Sequence, residues 1–168
     1  MRNIADLIEY SPGIIYHYFK DKNEIFHTLH AEGFLELGRR MQVLLSVNNP
    51  MERLKAMGKI YIEYGIENPD MYDLMFIKEA PVDFLEDESH WKEGSDVFGG
   101  LRNTVEQCVQ AGHFKGHETE ALSFMVWSTV HGMVSLQIRK RCDVINSELK
   151  ETIVSDAYQS LTKIIDKL

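Results

Sequence analysis

Between Tyr16 and Lys22 the chain reads Tyr-His-Tyr-Phe-Lys-Asp-Lys. Tyr16, His17, Tyr18 and Lys20 crowd little more than one helical turn with groups that hydrogen-bond phosphates or base edges and stack on sugars, and Lys22 follows at once. The plainer reading keeps Tyr18 and Phe19 as core residues and the rest as a solvated corner. A second constellation is Trp127 and His131, four apart and so on one helical face, where an indole and an imidazole can line a cavity together. A lone histidine on an apolar helix is more often a satisfied core residue. His27 and His30 are three apart, and His113 and His117 four apart, but a metal wants three or four convergent ligands, so no metal is expected. Ser128 and His131 share a face without a nucleophile elbow, a phosphate-binding glycine loop or an acid partner, so neither catalysis nor a cofactor is expected. Glu86, Asp87 and Glu88 read as a solvated loop.

The elements that must position these residues are helical. Ile4, Ala5, Leu7 and Ile8 recur at helical spacing, and Ile14, Ile15, Tyr18 and Phe19 do so again. Ser11-Pro12 is a helix start, its hydroxyl available to an exposed N–H and its proline without an N–H to waste. Tyr10 and Ile15 could form a staple across that start. Two short helices joined this way form a helix-turn-helix, whose second member lies in the DNA major groove. Asp21-x-x-Glu24 resembles a capping box, and a stripe through Phe26, Leu29, Phe34, Leu37, Met41 and Leu44 extends the third helix to about Leu45. That helix would span roughly 35 Å, enough to link the small module to the body.

In the body, Asn49-Pro50 opens a helix with Leu54, Met57, Tyr61 and Tyr64 on its buried face, ending near Asn68. Pro69 opens a short apolar segment through Met75 and Phe76, and residues 79 to 95 hold the long connection, with the next helix expected from Trp91 or Ser95. Phe98, Leu101, Val105, Cys108 and Val109 describe another helix, closed by Gly112. Ala121 to Ile138 is apolar nearly all round and must be buried on more than one side. Asn146 or Ser147 should cap the final helix, striped by Leu149, Ile153, Ala157, Leu161, Ile164 and Leu168. A two-fold four-helix interface follows if Val130, Val134 and Ile138 on one helix and Ile153, Ala157, Leu161 and Ile164 on the other meet a second copy. The alternative is that this hairpin completes a monomer core. Tyr61, Tyr64, Met75, Phe76, Phe98, Leu101, Trp127 and His131 are the side chains expected around a mostly apolar pocket.

With 168 residues and 44% hydrophobic content, the chain can build one ordinary domain plus a small module. No run approaches the roughly 18 apolar residues that span a bilayer and no signal peptide is visible, so no membrane partner is expected and the cytoplasm is the default. The net charge is −8, yet residues 1 to 22 balance Arg2, Lys20 and Lys22 against Asp6, Glu9 and Asp21. The acidic excess therefore lies in the body, and any DNA contact falls to the N-terminal module. Cys108 and Cys142 are too few for a disulfide framework and read as ordinary thiols.

Ile4-Ala5, followed by Ser11-Pro12-Gly13-x-x-Tyr16-x-Tyr18-Phe19-x-x-Lys22-x-Glu24-Ile25, resembles the DNA-binding signature of the tetracycline-repressor (TetR) family of bacterial transcriptional regulators. The resemblance makes Pro12 to Phe19 the recognition helix. It also gives Tyr16 and Lys22 phosphate contacts and Pro12, Gly13 and His17 base or backbone contacts. With Ser11, Tyr18 and Lys20 these complete the expected DNA-binding set. Family members carry a helix ahead of Ile4, which implies either a natural start upstream of Met1 or an incomplete module. Trp127-x-x-x-His131-Gly132, with Gly112-His113 and Asn68-Pro69-x-x-Tyr72-x-Leu74-Met75-Phe76, resembles the C-terminal region of a TetR subgroup that carries a Trp-His-Gly motif. The resemblance implies an all-α homodimer. Residues 1–45 would be the helix-turn-helix and connecting helix, and 46–168 the ligand-binding and dimerisation domain. It would act as a repressor on a palindromic operator in double-stranded DNA, answering to a small, mostly apolar effector. The alternative is a helical small-molecule or partner-binding protein without gene-regulatory activity.

Overall fold

Proline or asparagine-proline steps open three of the helices, and apolar stripes decide how each is turned. The computed structural model describes residues 7, 9, 11–78, 92–146 and 148–168. In chain order the helices are α1 (Pro12–Tyr18), α2 (Lys22–Gln42), α3 (Pro50–Glu67), α4 (Pro69–Phe76), α5 (Lys92–Gln110), α6 (Thr119–Ile138) and α7 (Ile153–Ile165). Short 3₁₀ turns lie at Val43–Ser46 and Arg141–Val144, and among the described residues there is no strand. The protein is all-α, with a helix-turn-helix module leading into a helical body. The pattern of Ile4, Ala5 and Ile8, the Tyr10 staple, the acidic cluster at 86 to 88 and the Ser147 cap lie outside the described residues.

Local chemistry sets the helix starts. Ser11 is extended at the start of α1, but its side chain makes no cap bond, and Pro12 alone marks the first turn. Asp21 caps α2 by accepting from the Glu24 N–H at 2.9 Å, while the Glu24 carboxylate accepts from the Lys20 N–H at 2.5 Å. The capping box is thus displaced by one residue on its return arm. Asn49 caps α3, its Oδ1 accepting from the Met51 and Glu52 N–H groups at 2.9 and 3.2 Å. At the end of α5, Gly112 takes φ 95° and the His113 N–H reaches back to the Cys108 carbonyl at 3.0 Å.

The final helix begins later than the apolar stripe predicts. Asn146 caps a turn, accepting from the Glu148 N–H at 3.2 Å, and the chain stays in turns until Ile153. Leu149 is consequently left half out, 48% exposed. By length and composition α6 could cross a bilayer, against the reading that no segment could. Its one glycine, three serines and two threonines interrupt the apolar run without making the helix polar overall. Here α6 is built into the body, with Leu122, Ser123, Val126, Val130 and Val134 buried.

α3 is the central element, packed on α2, α4, α5 and α6. One core cluster gathers Phe34, Leu37, Tyr61, Ile62, Tyr64, Tyr72, Met75, Val130, Val134 and Val154. A second gathers Met51, Leu54, Val105, Cys108, Phe114, Leu122, Val126 and Ile165. The connecting helix α2 joins the first cluster through Phe34 and Leu37, and His30 and Gly33 are buried beside them. Where α3 meets α4 and α6, Gly65 has no room for a methyl group: a Cβ would lie 2.5 Å from Val134 Cγ1 and 2.8 Å from the Tyr72 ring. Gly99, by contrast, has open space around it.

This contrast gives a stability prediction. Gly99→Ala should raise the thermal midpoint, since alanine gains up to about 1 kcal/mol in a helix interior. Gly65→Ala should lower it, because overpacking of about 1–3 kcal/mol outweighs the same gain. Calorimetry of both variants checks the pair, and equal shifts would contradict the crossing.

Candidate functional site

At the N-terminal end, Ile15 is the buried anchor of α1 at 6% exposure. Around it Ser11, Gly13, Tyr16, His17, Tyr18, Lys20 and Lys22 are exposed, with Tyr16 at 53% and Tyr18 at 73%. Pro12 forms the first helical residue. The His17 and Tyr18 rings meet edge to face at 5.4 Å. The plainer reading of Tyr18 as a core residue does not hold, because α1 ends there and the chain turns out to extended backbone at Phe19.

In the body, helices α2, α3, α5 and α6 enclose a cavity of about 810 Å³. Tyr61, Phe76, Phe98, Leu101 and Trp127 line it as the sequence suggests, and Phe34, Met41, Met57, Val97 and Phe124 join them. Among the described residues its carboxylates are Glu118 and Glu120, and Glu120 pairs with Arg102 at 3.6 Å. A smaller chamber of about 410 Å³ shares Phe76, Phe124 and Trp127 as a common wall. Met75 and His131 line this second chamber with Phe26, His30, Lys78 and Ser128.

Tyr64 needs correction: it lines neither chamber. It is 2% exposed, its hydroxyl donates to the Gly33 carbonyl at 3.0 Å, and the Arg40 guanidinium lies 5.2 Å from its ring centre. It ties α3 to α2. Sequence periodicity put it on the inner face of α3 but could not say which neighbour that face met.

Between the chambers runs a polar chain whose middle, Tyr61 and Tyr72, is buried and whose ends are part-buried. The Trp127 indole donates to the Tyr61 hydroxyl at 3.1 Å, Tyr61 and Tyr72 share a hydrogen bond of 2.9 Å, and Tyr72 Oη lies 2.7 Å from His131 Nδ1. Burial pushes the Tyr61 hydroxyl up to about 12 and raises Tyr72 further, so both stay protonated. Burial also lowers His131 and His30, keeping both rings neutral near pH 7, although the Met75 main chain holds the His30 ring through a hydrogen bond that favours its proton. Tyr72 is the residue the sequence reading missed. Only its place in the Asn68-Pro69-x-x-Tyr72 pattern distinguished it, since a tyrosine on a short apolar helix otherwise signals plain core.

The expected interface residues fall on different sides. Val134 is fully enclosed and Val130 is 3% exposed, so neither can meet a second chain; both pack inward because they share the face of α6 turned to α3. Ile138, Ile153, Ala157 and Leu161 are half-buried, and Ile164 is 58% exposed. The open face of α6 carries Ala121, Met125, Ser128 and Leu136 instead.

An all-helical regulator with a helix-turn-helix at one end and an apolar chamber in its body is the class that these features define. Residues 54–156 match the tetracyclin repressor-like C-terminal domain, and residues 1–29 match the bacterial regulatory proteins of the tetR family. The chain belongs to the tetR family of bacterial regulatory proteins, and it is a ligand-responsive transcriptional regulator. Among solved structures it is similar to a protein of unknown function from Rhodococcus sp. RHA1, with TM-score 0.75 and 17% identity over 98% of this chain and 83% of that one. It is also similar to the fatty acid degradation regulator FadR from Bacillus halodurans, with TM-score 0.72 and 17% identity over 96% and 86% of the two chains. A candidate fatty acid metabolism regulator from Clostridium perfringens aligns with TM-score 0.73 and 17% identity over 98% and 86%. Comparison with curated proteins gives no match.

The histidines link stability to pH. A ring held neutral in the fold but free to protonate near 6.5 when unfolded favours the unfolded state as pH falls from about 6.5 through the lowered folded value. The midpoint of the parent should therefore drop with acidification across that window, and His131→Gln should drop less steeply. Parallel pH profiles would remove His131 from the linkage.

Proposed function

We propose that the protein is a cytoplasmic homodimeric repressor that holds a palindromic operator through its paired α1 helices and lets go when a small, mostly apolar effector fills the body cavity. The observation that carries this reading is that α2, which begins four residues after α1 ends, also walls both chambers. Phe34 and Met41 face the larger one and Phe26 and His30 the smaller. An effector touching those side chains acts on the rod that carries the DNA-facing turn. Derepression then requires that the effector bind the DNA-incompetent spacing more tightly than the competent one.

In this reading residues 1–45 serve DNA and 46–168 serve ligand and dimer, with the second half of α2 physically part of the body. Ser11, Pro12, Gly13, Tyr16, His17, Tyr18, Lys20 and Lys22 form the DNA face. Half-sites lie about 34 Å apart or a small multiple of that. The large chamber suits an elongated apolar body, a class to which fatty acid derivatives belong, and the names of two structural neighbours support that class. The two copies meet through the open stripe of α6 and the edge of α7 bearing Ile153, Ala157 and Ile164.

Electrophoretic shift with a palindromic promoter fragment tests the DNA face. Lys22→Ala should weaken binding to every sequence and reduce the salt slope by about one, whereas changes at His17 should alter preference between sequences. An unchanged slope would take the phosphate contact from Lys22. Met125→Arg should cost the dimer more than about 1 kcal/mol of association energy, visible by sedimentation at micromolar concentration. A Met125→Arg dimer as tight as the parent would move the interface elsewhere.

A further inference from the structure

Two buried hydroxyls in a row between two part-buried rings leave little freedom in where their protons go. The Trp127 indole can only donate, and it donates to Tyr61 Oη. Tyr61 and Tyr72 are hydrogen-bonded to each other at 2.9 Å, and both hydroxyls lie near His131 Nδ1, Tyr72 at 2.7 Å and Tyr61 at 3.3 Å. If Nδ1 carried the ring proton, it would donate to Tyr72, Tyr72 would donate to Tyr61, and the Tyr61 proton would have no acceptor in the chain. If Nδ1 is bare, Trp127 donates to Tyr61, Tyr61 to Tyr72 and Tyr72 to Nδ1, and every donor is used. Leaving a buried donor unpaired is costly, so the second arrangement holds. The ring proton then sits on Nε2, the nitrogen this chain does not use, on a ring that lines the smaller chamber.

That chamber differs in charge from its neighbour. Among the described residues that line it, Lys78 is the one formally charged group and there is no carboxylate, whereas the described lining of the larger chamber carries Glu118 and Glu120 and no cationic side chain. A ligand with an anionic end and an apolar body would therefore place that end in the smaller chamber, with its tail passing the shared Phe76, Phe124 and Trp127 rings into the larger one.

Building on the apolar-effector reading above, we propose that His131 Nε2–H, aligned by the Trp127–Tyr61–Tyr72 chain and assisted by Lys78, recognises the carboxylate of an amphiphilic effector. The histidine of the Trp-His-Gly sequence thus has a specific task as a neutral donor of fixed direction. It reads an acceptor oxygen, forming the stronger, charge-assisted hydrogen bond when that oxygen belongs to a carboxylate, and the exposed Lys78 adds only a screened attraction.

Calorimetric titration of the full chain with dodecanoate, dodecan-1-ol and dodecyltrimethylammonium tests this. Dodecanoate should bind about tenfold more tightly than the alcohol, the order expected for one charge-assisted hydrogen bond. His131→Phe should bring the two within about twofold while the alcohol still binds, which shows that the chamber is intact. His131→Gln, whose amide nitrogen replaces Nε2, should keep the preference for the acid. Nitrogen-15 NMR of the parent should show the proton on Nε2. Equal binding of acid and alcohol to the parent, a tighter cation, or a proton found on Nδ1 would each overturn the head-group assignment while leaving the cavity reading in place. Failure of all three amphiphiles to bind would overturn both.

Discussion

The rest of the structure depends on how the middle of α2 is held against α3 and α4. The Tyr64 hydroxyl, buried and raised in pKa by that burial, needs an acceptor and finds the Gly33 carbonyl at 3.0 Å. Gly33 permits this approach because Met75 occupies the space where a side chain would stand. One turn and more beyond, Arg40 binds Glu67 at 2.6 Å and Glu36 at 3.2 Å while covering the Tyr64 ring. An orphaned tyrosine hydroxyl would cost about 1–3 kcal/mol, so the contact defines the helix position sharply. The exposed Arg40 pairs add little by comparison, because solvent screens them.

Holding α2 at its centre gives its two ends different characters. Its second half is core, and its first two turns before His30 are partly exposed and lead back to α1. Both chambers touch the helix on either side of the Tyr64 contact, through Phe26 and His30 before it and Phe34 and Met41 after it. In the proposed mechanism a ligand that presses on these side chains would tilt α2 about that contact instead of bending it, since a continuous helix resists local deformation. Small displacements at the chamber then grow with distance along the roughly 30 Å rod. The polar chain from Trp127 to His131 is carried by α3, α4 and α6, so it is fixed independently of α2.

The fold was legible because proline, asparagine and glycine punctuate the helices and the apolar stripes are regular. The starts at Pro12, Pro50 and Pro69 and the stop at Gly112 follow directly from residue type. The later start of α7 was hidden because Leu149 extends the stripe by spacing alone, while Asn146 prefers its own turn. Trp127, His131, Tyr61, Phe76, Phe98 and Leu101 could be placed around a cavity from type and spacing. Tyr64 could not be told from them, since periodicity gives the side of a helix and not the neighbour it meets. Val130 and Val134 were misplaced for a related reason: α6 has no polar face, so its apolar pattern does not say which side turns inward. Tyr72 could be found only through geometry, since its importance lies in a chain of hydrogen bonds across three helices.

The central claim is that occupancy of the chamber moves α2 and with it the DNA-facing turn. Cys108 is buried with its thiol pushed up to about 11, so a spin label placed by Tyr18→Cys, with Cys142→Ser, reports from one exposed site on each copy of a dimer. Pulsed electron resonance should give a distance between the two labels that shifts by several ångströms when dodecanoate is added to saturation. The same distance distribution with and without saturating ligand would contradict the account.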